Sequence, residues 1–273
     1  MPVDAAKIIA EIEKSGFPLE LRVAAQLTRH HFIVDHNLYY VDKDDGKGRE
    51  IEISALKNSQ ADRRGAVPDW IRHRFLVECK KTTDKPWVFF TSPTTHYDRE
   101  ASRIRISGLR REARLTDDLL KPVSTSHPFW NWPRRGRSYF EAFRSAAGAE
   151  APSNIFKAIT TVVKATLWAY SAVVQRGPMS MGELSIFQPV IVIEGDLFEA
   201  TINDAGVVSL TAQPLIPVSF TYQSAQYPEE RFTILVMQES FLPDFLTRMD
   251  GVLTDWANLF HQNQDLVATT DAK

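Results

Sequence analysis

The feature that most constrains the fold is a strict alternation of apolar and polar residues from Arg49 to Lys57. Ile51, Ile53 and Ala55 fall on one side of an extended chain and the polar residues between them on the other, as in a strand with one buried face. A second β-rich run, from Arg74 to Lys81, follows a polar loop. The two runs therefore predict an antiparallel hairpin whose strands pair around that loop.

The spacing of apolar residues predicts the remaining elements and a single α/β domain over residues 1–273, with a mixed central β-sheet flanked by helices. The polar tail, residues 263–273, is expected to be disordered. Helices are predicted at 4–14, from Pro18 onward, at about 154–175 and at about 243–260, and further strands at 31–41, 87–90, 187–193, 197–202, 207–210 and 232–237.

Composition limits the classes of function. The formal net charge is −2, so any nucleic-acid surface must be a local patch. A single cysteine excludes an internal disulfide framework and suits a reducing cytoplasm. The most apolar helical stretch, about Ile155 to Val174, carries Lys157 and Lys164, which favours a buried amphipathic helix over a membrane span. The N-terminus lacks the pattern of a signal peptide. We expect a cytoplasmic protein that does not act at a membrane.

The chemistry of the chain is concentrated in Glu78-Cys79-Lys80, at the end of an apolar strand. Residues two apart share one face of a strand, so Glu78 and Lys80 project together. Glu52 lies on the neighbouring strand and would face the region of Glu78 across the ladder, within reach of its side chain. Two acids and a lysine on adjacent strands are what metal-assisted phosphodiester hydrolysis requires.

These residues resemble the PD-(D/E)XK, or restriction-endonuclease-like, nucleases. Glu78-Cys79-Lys80 matches the (D/E)-X-K motif on the third strand of that family, and the stretch ending at Glu52 resembles the strand that carries its first acid. Gly16 to Glu20 resembles the opening helix of the family. The similarity covers residues 16–90, and the later helix and strand match by element order. One position differs, because the first acid of the family is usually aspartate and here is Glu52.

The resemblance implies a restriction-endonuclease-like core of order αβββαβ and a metal-dependent endonuclease acting on DNA in restriction, defence or repair. It assigns Glu52 and Glu78 as ligands of Mg²⁺, with Mn²⁺ as a substitute and the Cys79 backbone carbonyl as a third ligand. It also assigns Lys80 to the attacking water and Glu20 as a further acid. A homodimer and a subunit of a larger complex are both compatible with it.

Two other acids compete with Glu52 for the first position. Asp69 follows Pro68 and gives a literal Pro-Asp, but it lies nine residues before Glu78, roughly 30 Å away along an extended strand. Glu50 shares the predicted face of Glu52 and is the next candidate. Geometry therefore favours Glu52.

A segment from about residue 92 to 153 has a different composition and is predicted to be an insertion. It holds eleven Lys or Arg against seven Asp or Glu. Arginine supplies planar donors for phosphate, and aromatic rings stack on unpaired bases. The predicted nucleic-acid contacts are Arg134, Arg135, Arg137, Trp130 and Trp132. The alternative is a packed insertion with aromatic residues in its core.

Several other classes of site are not supported. The seven histidines lack zinc-site spacing, and the chain has no phosphate-cradling glycine loop and no Gly-X-Ser-X-Gly elbow. Asp42, Asp44 and Asp45 lack the spacing of a calcium loop and predict a turn. Two alternatives to a nuclease stay open: a nuclease-like DNA-binding or scaffold subunit without catalysis, and an interaction protein in which Glu78-Cys79-Lys80 has no role.

Overall fold

The computed structural model describes residues 4–60, 70–82, 84–95, 105–107, 132–143, 152–176 and 183–267. Four α-helices and eleven strands lie in these ranges, together with short 3-10 turns at Glu239–Phe241 and Gln264–Leu266. The helices are α1 (Ala5–Lys14), α2 (Phe17–Arg29), α3 (Asn154–Arg176) and α4 (Leu242–Gln262). The strands are β1 (Ile33–Val41), β2 (Gly48–Gln60), β3 (Trp70–Lys81), β4 (Trp87–Pro93), β5 (Arg105–Ser107), β6 (Arg134–Glu141), β7 (Glu183–Glu194), β8 (Leu197–Ile202), β9 (Val208–Ala212), β10 (Leu215–Tyr222) and β11 (Glu230–Gln238).

The described strands form one mixed sheet in the order β1-β2-β3-β7-β11-β10-β6-β4-β8-β9, with β5 pairing to β7. Strand β2 runs antiparallel to both β1 and β3, whereas β3 and β7 run parallel. Between β3 and β7 the chain passes through α3, as a parallel pair requires a crossover. The expected α/β class, a mixed sheet flanked by helices, is confirmed.

Two apolar cores lie against the sheet. On one face, Leu19 and Val23 of α2 pack with Phe245 and Trp256 of α4 against residues such as Phe75. On the other face, α3 packs against residues of β4, β7, β10 and β11. The expectation of a buried amphipathic helix at residues 155–174 is confirmed, because the apolar side of α3 is fully enclosed: Ile155, Ala158, Ile159, Val162, Val163 and Ala165 are all inaccessible to solvent.

Part of the segment predicted to be an insertion, residues 92–153, forms strands of the central sheet. Strand β6 lies inside the sheet, between β10 and β4. Gly136 pairs with Val218 of β10, and a Cβ at Gly136 would lie 3.2 Å from the Val218 side chain and 3.3 Å from Phe89. An arginine-rich strand is accommodated there because its polar side chains find partners on neighbouring strands.

Two other features differ from the predictions, one strand and the C-terminal segment. Strand β10 was not predicted, because Pro217 interrupts its β-rich run and proline usually marks an edge or a break. In the sheet Pro217 lies opposite Leu235 of β11. At the C-terminus, the side chain of Val267 is completely buried in the core of α2 and α4. The prediction of a disordered tail is therefore wrong for residues 263–267, and residues 268–273 lie outside the described residues.

The prediction that Ile51, Ile53 and Ala55 share one face is also wrong. Ile53 and Ala55 pack in the core of α2 and α4, but Ile51 packs on the opposite face, in the core of α3. The change of face occurs at Glu52. Asn37 of β1 lies opposite Glu52 and has a φ of 50°. On either side of them, His36 pairs with Ile53 and Leu38 pairs with Ile51. Strand β2 is therefore twisted at the acid predicted to bind metal.

Candidate active site

Strand β3 presents Glu78 and Lys80 on the face covered by α3. In the parallel ladder with β7 their partners are Ile191 and Ile193, which both belong to the core of α3. The intervening Cys79 points to the other core. The period of two along the strand therefore places the acid and the lysine side by side, as the sequence predicts.

The end of β3 is held in place by the turn that follows β7. The backbone N–H of Thr82 donates to the carbonyl of Glu194 at 2.8 Å. Gly195 has a φ of 154°, and a Cβ there would lie 2.2 Å from the Thr82 hydroxyl oxygen. Only glycine permits so close an approach in this conformation. The strand end that carries Glu78 and Lys80 is consequently fixed against its neighbour.

Glu52 reaches this strand end because β2 separates from β3 at that point. The described β2–β3 pairs end at Ile53 and Val77. Beyond them, the Glu52 carboxylate accepts a short hydrogen bond from the backbone N–H of Cys79 and lies 3.1 Å from the Lys80 ammonium. The structure thus brings together two predicted acids that lie 26 residues apart in sequence.

Lys80 occupies the centre of the group. Its Nζ lies 2.6 Å from Glu78 Oε1 and 3.1 Å from Glu52 Oε1, and it donates to the carbonyl oxygen of Cys79 at 3.1 Å. Burial works against the charged form of Lys80, but the carboxylates of Glu78 and Glu52 outweigh it and raise the pKa of the ammonium. Lys80 is therefore a protonated cation surrounded by three oxygens.

Glu20, in the first turn of α2, is the fourth member of the group. Its side chain is half-buried, and burial raises the pKa of its carboxyl, as does the charge of Glu52. Lys80 and His36 act in the opposite direction. Glu20 therefore belongs to the same electrostatic cluster, although it comes from the helix on the other side of the sheet.

His36 is a neighbour of the cluster that sequence reasoning did not assign. It lies on β1 opposite Ile53, next to the irregular position of Asn37, and it is exposed. A single histidine in a strand carries no spacing signal. Only the β1–β2 register, combined with the position of α2, brings it near Glu20.

The cluster has three carboxylates and one ammonium, and its most buried acid is Glu78. That side chain is 8% exposed. Burial raises the pKa of Glu78 to about 7, with Lys80 opposing the rise and Glu52 adding to it. Its second oxygen, Oε2, is buried without a hydrogen-bond partner among the described residues. An unpartnered buried carboxylate oxygen is costly and is open to a cation.

The donors of this cluster fit a hard divalent cation. Carboxylate and carbonyl oxygens are the ligands that Mg²⁺ prefers, and they converge here from Glu52, Glu78 and the Cys79 backbone. The thiol of Cys79 is buried in the opposite core, which raises its pKa, so this residue offers its carbonyl alone. Within the described ranges, no three His, Cys, Asp or Glu side chains are grouped so that they hold a metal as they stand. The two acids instead converge on Lys80.

The rival first acids are not in this cluster. Glu50 is exposed and pairs with Tyr39 of β1, beyond the twist of β2. Asp69 lies outside the described residues. Of the candidates whose positions are known, Glu52 alone contacts Lys80.

The predicted nucleic-acid contacts have different environments. Arg135 is 4% exposed and donates to the Thr233 hydroxyl at 2.6 Å, so it is not accessible to a phosphate. Arg134 forms an ion pair with Glu199 at 2.9 Å. Arg137 is exposed and donates to Ser92 at 3.0 Å. Of the three arginines, Arg137 has the accessibility that the prediction requires.

The two predicted stacking residues also differ. Trp132 is half-buried and packs against the core of α2 and α4, so its ring contributes to the fold. Trp130 lies outside the described residues.

No protein-family model matches the chain, and no curated protein and no solved structure is significantly similar to it. Within the described ranges, none of the helices combines the length and the apolar character needed to cross a membrane.

Proposed function

We propose that the protein is a metal-dependent endonuclease that hydrolyses phosphodiester bonds of DNA. The observation that carries the proposal is the convergence of Glu52, Glu78 and Lys80 at the end of β3. The three residues come from two strands, and a twist in β2 directs Glu52 to the backbone of Cys79. A strand that ends in Glu-X-Lys is common, but a second acid directed at the same lysine is not required by the fold.

The arrangement of elements supports the same proposal. In the chain, β4, β5 and β6 lie between β3 and α3. Without these three strands the order is α2, β1, β2, β3, α3 and β7, with β3 and β7 parallel, which matches the order αβββαβ of a restriction-endonuclease-like core. In this proposal the remaining strands extend that core on the far side of β7. The four residues of the cluster all come from the first part of the core.

The residues have distinct roles in the proposed reaction. Glu52, Glu78 and the Cys79 carbonyl would hold Mg²⁺ or Mn²⁺, which polarises the phosphoryl oxygen and activates a water when bound. Lys80 would orient that water and offset the charge that develops on the phosphate. Glu20 would hold a proton or a water at the edge of the site.

The first experiment compares DNA cleavage by the wild type with Mg²⁺, with Mn²⁺ and with chelator, on single- and double-stranded DNA. Glu78→Ala and Glu52→Ala should abolish cutting, because each removes a metal ligand. Glu50→Ala is the matched control, since Glu50 lies two residues from Glu52 and is exposed. Cutting that survives chelation, or that survives Glu78→Ala, would refute the proposal.

A binding protein without catalysis is the alternative, and it makes a different prediction. If none of these proteins cuts DNA, binding should be measured at several salt concentrations, because phosphate contacts release counterions. Loss of affinity in Arg137→Ala with a smaller salt slope would support a nuclease-like DNA-binding subunit. Absence of DNA binding would favour an interaction protein.

A further inference from the structure

The three oxygens proposed to hold the metal all contact the Lys80 ammonium. The distances from Nζ are 2.6 Å to Glu78, 3.1 Å to Glu52 and 3.1 Å to the Cys79 carbonyl. These are charge-assisted hydrogen bonds of ordinary length. The ammonium therefore lies at the point on which the three oxygens converge.

A divalent cation and an ammonium cannot use the same three oxygens together. Mg²⁺ requires oxygens at about 2.0–2.1 Å in near-octahedral directions, and these oxygens already point at Nζ. The two cations also repel each other, and the repulsion is strong in a site that is largely removed from water. Occupation by one cation therefore opposes occupation by the other.

We propose that Lys80 is a built-in competitor of the metal, so that the metal binds only when the ammonium leaves Glu52 and Glu78. This inference rests on the proposed function, since it concerns the same site. Lys80 then has two opposing effects: it supports catalysis and it weakens metal binding. Metal affinity in the wild type is set by how readily the four-carbon side chain of Lys80 moves away.

The neighbouring Lys81 provides a matched control. It points to the other side of the strand, where it forms an ion pair with Glu194 at 3.3 Å and donates to the Glu13 carbonyl at 2.8 Å. It contacts none of the three converging oxygens. Removal of its charge alters the local net charge by the same amount as removal of the Lys80 charge.

The test is Mn²⁺ binding in the absence of DNA, followed by electron paramagnetic resonance of the free ion at about pH 8, above the usual pKa range of carboxyl groups. Lys80→Met keeps an unbranched apolar side chain and removes the charge. We expect it to bind Mn²⁺ at least about tenfold more tightly than the wild type, because removing a nearby cation lowers the electrostatic barrier. Lys81→Met should bind as the wild type does, and Glu78→Gln should lose binding.

The outcomes separate this inference from the proposed function. If Lys80→Met binds Mn²⁺ no more tightly than the wild type while Glu78→Gln loses binding, the metal site stands and the competition is refuted. Absence of binding in every variant refutes the competition and the metal site together. Failure of the nuclease proposal is seen in the cleavage experiment, as absence of metal-dependent cutting by the wild type.

A second measurement does not depend on the fold of a variant. Acetylation of lysines in the wild type, read by mass spectrometry, should increase at Lys80 when Mn²⁺ is added, because the ammonium is released from its three acceptors. Acetylation of Lys81 should not change. Equal reactivity of Lys80 with and without Mn²⁺ would contradict the proposed displacement.

Discussion

Among the described residues, two clusters place a lysine between two carboxylates, and they differ in how completely the acids are paired. Lys80 lies between Glu78 and Glu52, at 2.6 and 3.1 Å. Lys164 of α3 lies between Asp42 and Asp44, at 2.7 and 2.9 Å. The lysine geometry is almost the same in the two clusters. The difference lies in the other partners of the acids.

In the Lys164 cluster the acids have several further donors. Asp44 accepts hydrogen bonds from the Ser224 hydroxyl at 2.5 Å and from the Tyr222 hydroxyl. Burial works against its ionised form, but the bonds from Ser224, Tyr222 and Lys164 outweigh it and lower the pKa of Asp44. Its charge is thus stabilised by the fold. This cluster fastens the turn between β1 and β2 to α3 and β10.

In the Lys80 cluster the pairing is incomplete. Glu78 has a buried oxygen without a partner within the described residues, and the pKa of its carboxyl is raised by burial. Tyr40 is buried near both clusters, since the charges of Asp42 and Glu78 both raise the pKa of its hydroxyl after the larger effect of burial. On the same face of the sheet, the pKa of Glu78 is therefore raised and the pKa of Asp44 is lowered. The acids of the Lys164 cluster are fully paired, whereas the incomplete pairing of Glu78 is what the proposed metal site requires.

The largest expected difference between the clusters is in DNA cleavage. Lys80→Ala should lower kcat by about 10²–10³-fold, the scale for loss of one transition-state donor. Lys164→Met should retain cleavage per folded molecule, because Lys164 lies outside the proposed site. Rates are to be measured with saturating Mg²⁺, with circular dichroism as a check on folding. Normal cutting by Lys80→Ala would show that the Lys80 cluster is no more important for cleavage than the Lys164 cluster.

The second difference is in stability, where the Lys164 variant should lose more than the Lys80 variant. Lys164→Met should lower the free energy of unfolding by about 2–4 kcal/mol, because it leaves the buried Asp42 without its closest cation. Lys80→Met should lower it by about 1 kcal/mol, since Glu78 can take up a proton in place of the ammonium. Urea denaturation at pH 7 measures both. Equal losses would show that the two lysines are equivalent.

Neutralising one acid of each cluster should change stability in opposite directions. The pKa of Glu78 is raised from about 4.5 to about 7 in the folded state. Its ionisation therefore destabilises the fold fully above pH 7 and not at all below about 4.5. Glu78→Gln should stabilise the protein by about 1 kcal/mol at pH 8 and have little effect near pH 4.

Asp44→Asn is the counterpart of that variant. A lowered pKa contributes stability above the usual value of aspartate, and this contribution is lost as the pH falls through the folded pKa. At pH 8 we expect a loss of about 1–2 kcal/mol from the weakened hydrogen bonds of Asp44. Thermal unfolding at the two pH values tests the pair, and the same sign for both variants would refute the comparison.

The smallest effect concerns a single donor of the Lys164 cluster. Ser224→Ala removes one hydrogen bond to Asp44 and should reduce stability by about 1 kcal/mol, with no change in cleavage. Ser209→Ala, on the exposed strand β9, should leave stability unchanged. If Ser224→Ala has no effect, Asp44 does not depend on this donor.

Much of the site was predictable because it depends on local geometry. The period of two along β3 places Glu78 and Lys80 on one face, whatever the strand pairs with. The loop before β3 allows an antiparallel hairpin, and the hairpin brings Glu52 close to Cys79. The long apolar helix α3 was predictable from its run of apolar residues, but the parallel pairing of β3 with β7 was not predicted, because β4, β5 and β6 separate β3 from α3 in the chain.

Other features depend on contacts between distant residues. The twist of β2 at Glu52 reverses the side of Ile51, and the alternating sequence gives no sign of it. The core of α3 and β7 determines which face Ile51 must cover. Strand β6 was not predicted, because its segment is rich in arginine, proline and aromatic residues and has weak periodicity. Arg135 is buried because Thr233, 98 residues away, supplies an acceptor.

The amino-acid sequence by itself therefore determined the class of the fold, the two strands of the candidate site and the residues proposed for its chemistry, because these follow from short-range periodicity and side-chain type. The tertiary structure alone decided that the Lys80 ammonium lies among the three oxygens, that His36 lies near the cluster, and that Glu78 has a buried oxygen without a partner among the described residues. Pairing and burial are properties of segments brought together from far apart in the chain, and no local pattern records them.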